Sequence, residues 1–372
     1  MISCEELFEV FKKNDLNFFT GVPDSTFKEW MSFLADEHKK GLTNIIACNE
    51  CEATAIASGY HLATRKIGVV YMQNSGLGKC VNPLTSLCDK EVYSIPVLLM
   101  IGWRGEPGKN DEPQHKKMGR ITIPLLEVLE IPYRIVPENL ADAEKTINEM
   151  KKLAEEKQMP TAIIIKSKVL EEYNSKTKIQ PNYEMSREDA IKIIVEEIEE
   201  GAIISTTGKC SRELYEYRKL RGEKGKDFLT VGSMGCSASI AFGAAISQPG
   251  KKFYIFDGDG AILMQMGTLS TIGAYKPRNI NHIIFDNSSY DSTGGQPTNS
   301  SKVSFGEIAL ACGYQNAYEV KNKDELIKKI GECYEGPNMI IVKVKEGSRK
   351  DLGRPESTPI ENKKEFMEFL EK

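Results

Sequence analysis

The sequence predicts an α/β protein of two domains, each a largely parallel sheet flanked by helices. Three observations predict it. Short apolar, β-rich runs alternate with helical patterns along nearly the whole chain, the signature of strand–helix–strand crossover units. The alternation lapses once, in a polar stretch between about Lys168 and Met185 ending KIQPNYEM, and then resumes. A length of 372 residues is also long for one domain and comfortable for two. The expected boundaries are residues 1–170 for the first domain, 171–185 for a linker and 186–372 for the second.

Composition narrows the function. The net charge of −4 offers nucleic acid no obvious basic surface. No apolar run is long enough to span a membrane, and the opening Ile2-Ser3-Cys4-Glu5-Glu6-Leu7 reads as a capped helix rather than a targeting segment. Nine cysteines, an odd number without disulfide-framework spacing, favour the reducing cytoplasm. Cys48 and Cys51 form a CxxC, but no second pair stands at zinc spacing, so they read as small side chains flanking a site.

In the first half, an amphipathic helix and a short strand lead into Gly21-Val22-Pro23-Asp24-Ser25, a turn by its chemistry. The run Ile45–Ala47 is a strand. After it, Glu50 opens a helix rich in Ala and Ser that is expected to end at Gly59-Tyr60. An acid is favourable at a helix start. The small residues permit close approach by another element, which would put Glu50 between surfaces, where a carboxyl can stay protonated and donate. The strand Ile67–Met72 ends in a glycine-rich turn, Gln73-Asn74-Ser75-Gly76-Leu77-Gly78. The strand Ile95–Ile101 ends in a long polar loop carrying Arg104 and His115. Polar loops at the carboxyl edge of a parallel sheet commonly carry function. Ala162–Ile165 closes the first set of strands.

In the second half, Ser186 caps a new helix with acids in its first turn. Strands are expected at Ala202–Ser205, Phe228–Val231, Phe253–Phe256, Ile280–Phe285 and Met339–Val344. Thr206 to Arg212 supplies hydroxyls, Lys209 and Arg212 at a helix start, where anions are attracted. Gly232-Ser233-Met234-Gly235 precedes a small-residue helix, Ser237–Ile246. The strand Phe253–Phe256 runs into Gly258-Asp259-Gly260, a helix follows from about Ile262 to Ala274, and the next strand ends in Asp286-Asn287. Such a crossover brings both strand ends to one edge of the sheet, so Asp259 and Asn287 sit near each other. A carboxylate and an amide oxygen suit a hard cation such as Mg²⁺. The flanking glycines let a diphosphate approach the backbone. Asp291-Ser292-Thr293-Gly294-Gly295-Gln296 is expected to add hydroxyls and glycines beside the metal.

Gly258-Asp259-Gly260 with Asn287 beyond the next strand resembles the diphosphate-binding motif of thiamine-diphosphate enzymes. The resemblance implies that Asp259, Asn287 and the carbonyl of Ser289 hold Mg²⁺, with Gly258, Gly260 and Ala261 lining the diphosphate. The family usually has two Asn in a row; here the first is Asp286. Asn49 to Tyr60 resembles the pyrimidine-binding half of thiamine-diphosphate decarboxylases. This implies that Glu50 hydrogen-bonds a ring nitrogen of the aminopyrimidine and so activates the cofactor, which carries the hard chemistry. It also implies that Asn74 and Ser75 lie by the cofactor, that Met234 wedges beneath it, and that the Gly232 carbonyl, with Ser233 adjoining, accepts from its amino group. His115 stands where related decarboxylases place an acid–base histidine, and Asp24 is a second candidate for proton transfer.

GVPDS, QNSGLG, GWRGEPG with DEPQH, GSMG and GGQPT together are similar to the branch of that family acting on phosphonopyruvate and sulfopyruvate, over nearly the whole chain. That branch implies two thiamine-diphosphate-binding-fold domains with no middle domain. It also implies decarboxylation of 3-phosphonopyruvate to phosphonoacetaldehyde in phosphonate biosynthesis. Ser25, Arg104, Lys209 and Arg212 become candidates to bind the phosphonate. Sites in the family form between subunits, so a homodimer or larger assembly is expected. Fusion of the halves into one chain favours the phosphonate substrate. Three other readings stay open: a sulfopyruvate decarboxylase, a carboligase, and a non-catalytic cofactor-binding protein.

Overall fold

The computed structural model describes residues 1–175, 183–198 and 200–372. The chain falls into two compact units: Met1–Lys178 with Tyr290–Gln296, and Ile179–Ser289 with Pro297–Lys372. Of the expected linker, residues 176–182 lie outside the described residues. Among the described residues no helix is long and apolar enough to cross a membrane.

The first unit opens on α1 (Cys4–Lys13), capped by the Ser3 hydroxyl, which accepts from the Glu6 N–H at 3.2 Å. There follow β1 (Phe18–Gly21), α2 (Lys28–His38), β2 (Thr43–Ile46), α3 (Glu50–Thr64), β3 (Gly68–Gln73), α4 (Leu77–Ser86), β4 (Val97–Gly102), α5 (Pro113–Val128), β5 (Tyr133–Ile135), α6 (Leu140–Lys157) and β6 (Thr161–Ile165). The six strands pair in parallel in the order β2-β1-β3-β4-β6-β5. The central strands β4 and β6 are buried along their whole length, as a parallel sheet covered on both faces requires. Alternate side chains feed two cores: Tyr71, Met100 and Ile163 on one face with Phe11, Phe19 and Trp30, and Met72, Leu99 and Ile164 on the other with Ala57.

In the second unit, Ser186 forms a capping box with Asp189 at the start of α7 (Arg187–Glu197). There follow β7 (Ala202–Ser205), α8 (Lys209–Leu220), β8 (Asp227–Leu229), α9 (Ser237–Ser247), β9 (Phe253–Gly258), α10 (Asp259–Met264), α11 (Gly267–Tyr275) and β10 (Ile280–Asp286). The two-residue strands β11 (Ser289–Tyr290) and β12 (Gln296–Pro297) form a hairpin. Then come α12 (Phe305–Cys312), β13 (Asn316–Val320), α13 (Lys323–Glu332), β14 (Asn338–Lys343) and α14 (Pro359–Glu371). The parallel order is β13-β14-β10-β9-β7-β8. From its other end this is the order of the first sheet: second, first, third, fourth, sixth and fifth strand. In each unit the order reverses between first and third strands, and ligands of open α/β sheets bind outside the carboxyl ends at that point. The segments emerging there are Val22–Ser25 and Gln73–Gly76 in one unit, and Thr206–Gly208 and Gly258–Asp259 in the other.

The structure corrects several expectations. The helix expected from Ile262 to Ala274 is two helices, because Gln265 leaves the helical region (φ −135°, ψ 41°) just before Gly267, a poor helix propagator. The helix opening at Glu50 continues past Gly59-Tyr60 to Thr64, and the left-handed Arg65 (φ 63°) ends it. Residues 290–296 group with the first unit rather than with the residues around Asp259. Strands β5 and β13 were not anticipated.

Candidate active site

In the first unit, Glu50 is the first residue of α3, and the preceding Asn49 caps the helix by accepting from the Glu52 N–H at 3.0 Å. Glu50 is only 5% exposed, and among the described residues its Oε2 has no hydrogen-bond partner. Burial pushes its carboxyl above the ordinary range, against the opposing pull of Lys79. Lys79 Nζ stands 3.8 Å from that Oε2. Gly76 forms the wall of the slot: a Cβ there would lie 2.3 Å from Glu50 Oε1. Glycine at 76 is therefore set by the carboxyl behind it.

Asp24 is fully buried beside the same switch point. Its Oδ1 accepts from Gln73 Nε2 at 2.7 Å, and its Oδ2 is without a partner. Burial raises its pKa, opposed by the hydrogen bond from Gln73 and by the nearby Thr26. Ser75 donates to Gln73 Oε1 at 2.8 Å, so Asp24, Gln73 and Ser75 form one chain. Asn74 is committed to the scaffold. Its Nδ2 donates to the Arg104 carbonyl at 2.8 Å and to Thr122 Oγ1 at 2.9 Å, which ties the loop after β4 to the end of β3.

Arg104 makes a two-pronged pair with Asp111 at 2.8 and 2.6 Å, and its Nη1 donates to Ser25 Oγ at 2.8 Å. Three of the residues singled out in the sequence, Asp24, Ser25 and Arg104, are thus brought to one place. The Arg104 guanidinium and backbone bonds hold the Asp111 carboxyl well below the usual range. His115, in the first turn of α5, is buried, and burial followed by the Arg104 charge lowers its pKa.

In the second unit, Asp259 opens α10 and is 3% exposed. Burial, then the nearby charge of Asp286, pushes its carboxyl up to about 7. Thr298 donates to Asp259 Oδ2. Asp286 is fully buried and receives Lys343 Nζ at 2.6 Å, Ser300 Oγ at 2.7 Å and the Ser288 N–H at 3.0 Å. Asn287 Oδ1 accepts from the Ser289 N–H at 3.0 Å. Gly258 has an ordinary φ of −104°, and a Cβ there would meet nothing within 4 Å. No protein group demands glycine at 258, whereas close approach of a ligand to the backbone would.

The loop Gly232-Ser233-Met234-Gly235 holds three left-handed residues, Gly232 (φ 72°), Ser233 (φ 46°) and Gly235 (φ 87°). The glycines adopt this conformation freely, and only Ser233 is held in it by its surroundings. Gly232 N–H donates to Thr207 Oγ1 at 3.0 Å, and Gly235 packs on the Ala261 carbonyl. Met234 at the loop's tip is half-buried. Lys209 and Arg212 lie half-buried in the first turn of α8.

These groups fit the implied cofactor and metal. An orphaned buried carboxyl oxygen at Glu50 calls for a donor or proton-sharing partner. The buried Asp259 carboxyl, with the Asn287 amide oxygen and the Ser289 carbonyl, is an all-oxygen set suited to a hard cation, whose charge would offset the repulsion from Asp286. Among the described residues no three His, Cys, Asp or Glu side chains cluster as a metal site, and all nine cysteines are free. Gln73, Lys79, Thr298, Ser300 and Lys343 escaped sequence reasoning.

Residues 4–122 match the model of the thiamine pyrophosphate enzyme N-terminal TPP binding domain, and residues 206–344 that of the C-terminal TPP binding domain. The chain is 34% identical to the phosphonopyruvate decarboxylase of Streptomyces viridochromogenes, over 86% of this chain and 83% of that protein. It is 27% identical to the sulfopyruvate decarboxylase of Methanosarcina acetivorans, over 99% of this chain and 97% of that one. It is 32% identical to the sulfopyruvate decarboxylase subunit beta of Methanococcus maripaludis, which covers 51% of this chain and 100% of the subunit.

Proposed function

The chain belongs to the thiamine pyrophosphate-dependent decarboxylases, in the branch containing phosphonopyruvate and sulfopyruvate decarboxylases, and we infer that it converts 3-phosphonopyruvate to phosphonoacetaldehyde. One carbon dioxide leaves and one proton is taken up. The observation carrying the choice of substrate is the 34% identity to a phosphonopyruvate decarboxylase against 27% to a single-chain sulfopyruvate decarboxylase. Fusion of the halves does not separate the two substrates, contrary to the expectation from sequence, because that sulfopyruvate enzyme also spans both halves.

Thiamine diphosphate, when bound, supplies the nucleophilic carbon and the electron sink for loss of carbon dioxide. The protein's part is to bind it, orient it and move protons. Glu50, buried with a free carboxyl oxygen, would share a proton with a ring nitrogen of the aminopyrimidine. Gly232, Ser233 and Met234 would set its conformation from a tight left-handed turn. Asp259, Asn287 and the Ser289 carbonyl would hold Mg²⁺ on the diphosphate, with Gly258, Gly260 and Ala261 giving backbone access. Asp286, locked by Lys343 and Ser300, fixes the turn that carries Asn287.

Asp24 is kept toward its neutral, donating form by burial, and His115 toward its neutral, accepting form. They are the two candidates for proton transfer to and from substrate. Arg104 with Ser25, and Lys209 with Arg212, are the candidates for the phosphonate. Arg104 offers only what its pairing with Asp111 leaves, so Ser25 is the more available donor.

The domain division proposed is a pyrimidine-binding first half and a diphosphate-binding second half. Self-association is supported by the separate subunits among relatives and by α9, which carries no charged residue and exposes Ile240 and Ile246. Free cysteines throughout the described residues support a reducing cytoplasm.

The test is a decarboxylation assay with phosphonopyruvate and sulfopyruvate, each with and without thiamine diphosphate and Mg²⁺. The expected result is turnover of phosphonopyruvate that needs both additions and is lost in Asp259→Ala. A strong preference for sulfopyruvate would overturn the substrate; turnover indifferent to Mg²⁺ would overturn the metal site.

A further inference from the structure

We propose that Lys79 is a positioning residue that sets the charge state of Glu50 in the pyrimidine subsite. The proposal rests on the reading of Glu50 as the acid facing the aminopyrimidine, and adds a partner that nothing in that reading requires.

Lys79 lies in the first turn of α4, the end of a helix where a cation is unfavourable. Its stem is partly exposed, yet Nζ is sealed from solvent and has no hydrogen-bond partner among the described residues. A buried ammonium without a partner is costly and calls for an explanation. The atom it faces, Glu50 Oε2 at 3.8 Å, is equally without a hydrogen bond. The separation is too long for a hydrogen bond and short enough for strong charge coupling. Gly76 leaves no room for a side chain against the same carboxyl, so that turn closes on Glu50.

Two other titratable groups face Glu50. Asp24 would oppose its ionisation, but burial keeps Asp24 itself toward the neutral form. The Cys80 thiol, one residue past Lys79, is pushed up to about 12, chiefly by burial, and stays uncharged. Lys79 is then the charge that opposes burial, which is the larger of the two influences. Dry surroundings favour the acid form of Glu50, and the ammonium favours the carboxylate. A carboxylate can take a share of the ring-nitrogen proton, whereas a permanently neutral acid can only donate. Lys79 keeps Glu50 able to do both.

The experiment is a pH titration of the cofactor-free protein carrying ¹³C-carboxyl-labelled glutamate, followed by NMR, with Glu50→Gln identifying the signal. Lys79→Met should move the Glu50 midpoint upward by about one pH unit or more. Lys79→Arg should return it close to the wild-type value. Lys79→Gln gives the same reading should the methionine variant fold poorly. Calorimetry of thiamine diphosphate binding with Mg²⁺ present should show the pH dependence of affinity moving in the same direction. A Glu50 midpoint unchanged in both Lys79→Met and Lys79→Gln overturns the proposal, whatever the protein binds. Failure of the wild type to take up thiamine diphosphate would overturn the functional reading instead, and the NMR titration would still decide whether Lys79 governs Glu50.

Discussion

Gln73 Nε2 donates to Asp24 Oδ1 at 2.7 Å, and the other Asp24 oxygen is buried without a partner. The amide thus satisfies one oxygen of the acid, while the other lies against Gly102. Burial raises the folded-state pKa of Asp24. A raised value means that folding favours the neutral form. Its contribution to stability is complete below the unfolded carboxyl's value, about 4, and is lost as pH rises through the folded value. Asp24→Asn, neutral at every pH, should therefore melt above the wild type at pH 8, with the gap closing toward pH 4. Turnover should fall by about a hundredfold or more if Asp24 moves a proton. Calorimetric melting across that pH range checks the first statement and steady-state kinetics the second. A melting difference independent of pH would contradict the burial argument.

Gly76→Ala tests the slot around Glu50. The added methyl would fall 2.3 Å from Glu50 Oε1 with no flexible end to yield except the carboxyl itself. The fold should survive, and the displaced carboxyl should cost about a hundredfold in turnover, the usual effect of a misplacement near 1 Å. Near-wild-type kinetics would show that the position of Glu50 is not critical.

Lys343→Met tests the pair that holds Asp286. Lys343 Nζ and Asp286 Oδ2 are 2.6 Å apart, and the aspartate is fully buried. Removing the cation leaves a buried charge uncompensated, at a cost of about 3–5 kcal/mol. Urea unfolding should show that loss, and Asp286→Asn in the same chain should recover part of it. A loss under about 1 kcal/mol would mean that Ser300 and Ser288 suffice.

What the sequence made legible follows from how local each signal is. The β9–β10 crossover, the Ser186 capping box and the helix after Gly235 depend on near neighbours and were readable. Strands β5 and β13 were not: Tyr133-Arg134-Ile135 and Asn316–Val320 are edge strands, half-exposed and without a clean apolar run. In the site, the small residues of α3 announced a sheltered Glu50. Thr298 meets Asp259 across 39 positions and Lys343 meets Asp286 across 57, and only the folded sheet brings them together. Lys79, a cation in the first turn of a helix, carries only a faint signal in the sequence.

The grouping of residues 290–296 with the first unit bears on how the protein is made. The rest of that unit has been synthesised by residue 178, but this piece is made about 120 residues later. At usual rates of synthesis the delay is roughly 6 to 24 s. A nascent chain arrested short of residue 290 would hold a first half with a gap in its surface, open to protease until translation fills it.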